Sequence, residues 1–210
     1  MSMLLILQIR IATVFLLEPD IPVLLDKLAR KGYVRASVRQ TLEGATIGFI
    51  EPPNLEPPNV IAGKGTVRVD YNIERRILGI ESPNPKEILS ALDEVESCFK
   101  EMSVSIDKAL IPYEAIIVAE ALLKPRFTDN KYTFKDLLGF DLRLMEEGFV
   151  SEGGEPTSNK WFHLKISPIW SSYKVGEGEN LCRITIVYRE EKLKLINFIK
   201  DILRKLLERM

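Results

Sequence analysis

Histidine occurs once in this 210-residue chain, at His163, and cysteine twice, at Cys98 and Cys182. A metal site needs further ligands at suitable spacing, and a catalytic histidine needs an orienting partner. The sequence around KWFHLKI offers neither, so His163 reads as a surface-facing strand residue. Two cysteines are too few for a disulfide framework and suit a reducing compartment. Cys98 falls on the apolar stripe of a predicted helix and Cys182 on the apolar face of a predicted strand, so both are expected to be small buried hydrophobes. Glutamine appears only at Gln8 and Gln40 while charged residues make up 28%, a balance compatible with a thermophile. Net charge is also lacking. At −1 it draws the protein to neither nucleic acid nor anionic membrane, and any such attraction must come from a local patch. No apolar run is long enough to span a bilayer. The opening MSMLLILQIRIATVFLL is interrupted by Gln8 and Arg10, lacks a basic start and a cleavage site, and reads as a buried strand of a cytoplasmic protein.

What is present is a repeated skeleton. KLARKGYV (27–34) and RLMEEGFV (143–150) each place a cation before leucine, then three residues, glycine, an aromatic residue and valine. Upstream stand LLEP (16–19) and LLKP (122–125), each after a long apolar, β-rich stretch. Helical spacing follows in both halves: Ile21, Leu24, Leu25 and Leu28 in the first, then Phe134, Leu137, Leu138 and Met145 in the second, with Thr133 placed to cap. Gly32 and Gly148 fall where a helix needs a left-handed C-terminal residue. Alternating strands come next, and PKEILSALDEVESCFKEM and EEKLKLINFIKDILRKLL read as closing helices.

The sequence therefore predicts an α+β fold with an internally duplicated strand–helix–antiparallel strands–helix unit. Residues 1–103 and 104–210 are the two pseudo-repeats, with helices on one face of a mainly antiparallel sheet. This element order resembles that of TATA-box-binding protein halves, which form a saddle from a duplicated unit, and sliding clamps repeat units of related order. The resemblance is one of element order across most of the chain; it carries none of either family's sequence motifs and implies topology, not function.

No catalytic constellation stands out, and no cofactor is expected. Glu146 and Glu147 are adjacent and point apart, and Glu152 and Glu155 lie in a turn-rich segment. AGKG (62–65) lacks the glycine spacing, the Lys-Ser/Thr pair and the following helix of a phosphate loop, and reads as a turn. The tandem EPPNLEPPN (51–59) favours extended polyproline backbone, as a stiff connection or a docking arm.

Strand alternation supplies the candidate sites. Gln8, Arg10, Arg35, Arg39, Arg68, His163, Lys165, Arg183 and Arg189 fall opposite the apolar residues, interrupted by Asp70, Glu114 and Glu120. If one sheet carries them, Arg10, Arg35, Arg39, Arg68, Lys165 and Arg183 form a phosphate-binding face and Trp161 a stacking platform for a base. On the last helix, apolar residues exceed one stripe, which marks Ile199, Leu203, Leu206 and Leu207 as a candidate oligomer interface. The preferred function is a non-catalytic structural or interaction protein that forms a homo-oligomer, with no membrane contact. The alternative is a sequence-independent nucleic-acid-binding module. A small-molecule binder or enzyme with a site between the halves is a weaker one.

Overall fold

The computed structural model describes residues 4–16, 18–41, 44–49, 59–104, 113–123, 131–134, 140–143, 146–151, 155, 158–169 and 180–208. In chain order the elements are β1 (Leu4–Val14), α1 (Ile21–Arg30), β2 (Val34–Thr41), β3 (Gly44–Phe49), β4 (Val60–Lys64), β5 (Val67–Asn72), β6 (Ile77–Ser82) and α2 (Pro85–Glu101). There follow β7 (Tyr113–Leu123), β8 (Lys131–Phe134), β9 (Phe140–Arg143), β10 (Glu147–Val150), β11 (Trp161–Pro168), β12 (Asn180–Glu190) and α3 (Lys192–Glu208). Ten strands form one sheet in the order β10-β11-β12-β7-β1-β6-β5-β4-β2-β3, and every neighbouring pair runs antiparallel. The fold is thus α+β, as the sequence predicts. No helix among the described residues is long and apolar enough to cross a membrane.

Strand alternation sorts the sheet into two faces. Ile11, Val69, Ile80, Ile117 and Ile186 point to one side and are almost fully buried. The helices cover that side, with α2 in contact with both α1 and α3. Completely burying side chains of this size contributes about 1.5–3 kcal/mol each. Phe15 and Phe99 meet across the sheet–helix boundary with centroids 5.0 Å apart.

The helix ends follow from local chemistry. Asp20 caps α1 by accepting from the Val23 N–H at 3.1 Å, with a proline in the first turn. At its other end the Gly32 N–H donates to Ala29 O and the Tyr33 N–H to Leu28 O, and Gly32 takes φ +86°, a left-handed cap. Asn84 caps α2 in the same manner, accepting from the Lys86 N–H at 2.9 Å. Beneath α2, the buried Glu96 carboxylate accepts from the Tyr113 hydroxyl of β7 at 2.8 Å and from Lys192 Nζ of α3. One charged group thereby ties together the first half's closing helix, the second half's central strand and the last helix.

The second half departs from expectation at its start. Where the sequence predicts a helix from Phe134, Lys131–Phe134 and Phe140–Arg143 are strands that pair as a separate two-stranded sheet with Phe134 opposite Phe140, and residues 135–139, 144 and 145 lie outside the described residues. The flanking Tyr-Thr-Phe and Phe-Asp-Leu triplets suit strands. Gly148 accordingly caps nothing. It lies in β10 opposite Lys165 and does not share the positive φ of Gly32. The EPPNLEPPN segment lies outside the described residues except for Asn59, which takes φ +87°. AGKG is in part strand, since Ala62, Gly63 and Lys64 belong to β4 and only Gly65 turns, at φ +58°.

Candidate functional site

The face of the sheet turned away from the helices gathers most of the residues that the sequence marks. Register places Val150, His163, Val187, Ile116, Arg10, Glu81, Arg68, Gly63 and Val34 in one row across nine strands. The neighbouring rows carry Lys165 beside Thr185, and Arg183 beside Glu120. Arg10, Arg68, Lys165, Arg183 and Trp161 therefore do share a face.

Arg35 does not. It stands opposite Ala62, whose side is covered by the helices, and its guanidinium pairs with Asp26 of α1. The residue that β2 presents to the open face is Val34, 54% exposed. Alternation puts Arg35 opposite the apolar residues and so on the basic face, and the pairing of β2 with β4 overturns that placement. The Arg39 side chain lies outside the described residues.

The cations on the open face are already compensated. Arg10 reaches Asp70 at 2.6 Å, Arg183 reaches Glu120 at 2.9 Å, Arg189 reaches Glu114 at 2.5 Å, and Lys165 reaches Glu146 at 2.7 Å. Arg68 donates to the carbonyls of Gly65 and Val67. Glu81, which the sequence reading missed, stands in register between Arg10 and Arg68. Spacing alone would have shown it, since Glu81 alternates with Leu78 and Ile80 of the buried side. A hollow of about 360 Å³ at this end of the face is lined by Arg10, Arg68, Arg75, Asp70 and Glu81, so it too carries both signs. Trp161 is likewise engaged within the chain. Its ring stacks on His163 at 5.6 Å, and the Arg189 guanidinium carbon lies 6.0 Å from its centroid.

Between the ion pairs the face is apolar. Leu5 is 52% exposed, and Ile116, Val118, Leu122, Leu181 and Val187 are half-buried. This composition suits contact with another protein surface better than contact with a polyanion.

The last helix gives a different result. Leu195, Ile199 and Ile202 are buried in the chain's own core, and Phe198 packs against Tyr188 and Phe162 with centroids 4.6 and 6.2 Å away. Ile199 is a core residue and not a surface for a second subunit, because α3 uses that stripe to cover β7 and β12. The side chains of Leu203, Leu206 and Leu207 lie outside the described residues.

Both cysteines are buried, and neither is in a disulfide. Burial raises the Cys98 thiol pKa against the opposing pull of Lys31, which leaves it a poor nucleophile. Among the described residues no group of three or more His, Cys, Asp or Glu side chains converges to hold a metal. No family model matches the chain, and no curated protein matches it in sequence.

Proposed function

We propose that this protein is a non-catalytic interaction protein that self-associates through the open face of its sheet. The observation that carries this reading is the pattern on that face: exposed and half-buried Leu5, Ile116, Val118 and Val187 set among cations that each have a nearby acid. A surface that is neutral in patches meets a copy of itself without net repulsion, and its apolar stretch supplies the driving force. The occupant is therefore a second copy of this chain. Static light scattering over a concentration series tests it: the account expects a dimer at micromolar concentration that dissociates on dilution.

Sequence-independent nucleic-acid binding is the second reading, favoured by the placement of Arg10, Arg68, Lys165 and Arg183 on one face. Each phosphate contact would have to compete with an existing carboxylate or carbonyl partner, and that competition ranks it second. Filter binding at low salt separates the two readings, since a steep fall of affinity with salt belongs only to the phosphate-binding one.

The two-unit reading, residues 1–103 and 104–210, is kept for the sheet centre and the closing helices. The central strands β1 and β7 are neighbours, flanked by β6 then β5 on one side and by β12 then β11 on the other, and each half ends in a helix. That order supports a duplicated core and the topological resemblance to TATA-box-binding protein halves. The opening helix of the first half has no counterpart in β8 and β9.

A further inference from the structure

One side chain on the open face belongs to the type that changes charge between about pH 5 and pH 8. His163, the chain's only histidine, lies half-buried on β11 in the row Val150–His163–Val187–Ile116. It therefore borders the apolar stretch through which a second copy would bind.

Among the described residues, the charged groups that face this imidazole are already matched. On its own strand, Trp161 stacks on the ring at 5.6 Å with the planes 9° apart, and Lys165 reaches Glu146 at 2.7 Å. From β12 come Val187 opposite, Thr185 and Arg189, and Arg189 is held by Glu114 of β7 at 2.5 Å. From β10 come only Val150 and Gly148. A β-carbon on Gly148 would lie 3.9 Å from His163 Nε2, so no side chain at that position covers the nitrogen. The helices pack on the opposite side of the sheet. Neither ring nitrogen has an acid or a hydrogen-bond partner among the described residues.

Charge balance on this part of the face thus turns on His163. With the imidazole neutral, each neighbouring cation has its carboxylate. With the imidazole protonated, one positive charge is left over, beside an indole whose centroid already has the Arg189 guanidinium carbon 6.0 Å away. In a single chain, water solvates that charge and the stacked Trp161 ring favours it. Beneath a second copy it loses its water and gains no acid in exchange. A two-fold contact between identical faces brings two such charges.

We infer that self-association of this protein is switched by pH at His163: copies pair while the imidazole is neutral and separate once it is protonated. The switch rests on self-association through the open face and adds its regulation. The sign follows from linkage. The paired state binds fewer protons, so association is strongest above the histidine range and is lost as pH falls through it. One unit below the ordinary histidine value of about 6.5, roughly one imidazole in ten is neutral, and two copies together raise Kd about a hundredfold.

The test is sedimentation equilibrium of the full chain at about pH 8 and about pH 5.5 in matched salt, a range that spans the histidine transition. The parent should dimerise at the higher pH and lose about a hundredfold in affinity at the lower. His163→Gln, neutral throughout, should match the parent at the higher pH and hold that affinity in acid. His163→Lys, charged throughout, should be weak at both. A parent Kd that does not change with pH would overturn the switch and leave self-association standing. So would a His163→Gln variant that weakens in acid as steeply as the parent, or a His163→Lys variant that dimerises as tightly as the parent does at the higher pH. A parent and a His163→Gln variant that are both monomeric at both pH values would overturn self-association itself, and the switch with it.

Discussion

Arg10 on β1 and Asp70 on β5 are joined at 2.6 Å although β6 runs between their strands. The gap that they cross is Gly79, and a β-carbon there would overlap both Asp70 Oδ2 and Arg10 Nη2. Gly79→Ala should therefore break the pair and cost about 2 kcal/mol, the loss of a partly buried, charge-assisted hydrogen bond. In that background Asp70→Ala should add little, because its partner is already displaced. A double-mutant cycle in urea checks this, and additive losses would show that the pair does not depend on the glycine.

The two glycines of the repeated skeleton should respond differently. Gly32 holds φ +86°, so Gly32→Ala should lower stability by about 1 kcal/mol. Gly148 sits in β10 with His163 Nε2 3.9 Å from where a β-carbon would lie, an ordinary contact. Gly148→Ala should stay within about 0.5 kcal/mol of the parent in thermal melts.

Glu96 links α2 to β7 and α3 through Tyr113 and Lys192. Glu96→Ala leaves a buried hydroxyl and an ammonium without their acceptor, and should cost about 3 kcal/mol. Hydrogen exchange should show α3 loosening before α1, because α3, unlike α1, is held by this carboxylate. Uniform loosening of all three helices would count against that role.

Acid should loosen the α1–α2 contact first. Lys27, then Lys31, hold the Glu101 carboxyl below its ordinary value of 4.5. A lowered folded-state pKa gives stability that is present above the unfolded value and lost as pH falls through the folded one. The melting-temperature gap between the parent and Glu101→Gln should be small at neutral pH, as suits an exposed pair, and should vanish in acid. A gap that widens in acid would reverse the assignment.

Much of the fold was legible because alternation and helical spacing are local signals. KWFHLKI sorted Phe162 and Leu164 from Trp161 and His163, and Leu24 and Leu28 stood out as the buried stripe of α1. What escaped depends on partners distant in sequence. Arg35 turns toward Asp26 because β2 pairs with β4, and β4 itself was hidden by Gly63 and by the proline-rich segment before it. The apparent basic face lost its character because Glu81, Glu114 and Glu120 arrive from neighbouring strands in register with the arginines, and Asp70 reaches Arg10 diagonally across β6. The excess apolar surface of the last helix proved, for Ile199, to be core, since α3 lies against both α2 and the sheet.

Self-association through the open face is tested most directly at Leu5, which is 52% exposed and stands opposite Glu120 on that face. Leu5→Lys places a charge in the apolar stretch without disturbing the core. Light scattering of the parent at micromolar concentration should give twice the chain mass of 23.9 kDa, and Leu5→Lys, with an unchanged circular dichroism spectrum, should give the single-chain mass. A parent that is monomeric throughout, or a Leu5→Lys variant that remains as dimeric as the parent, would contradict the account.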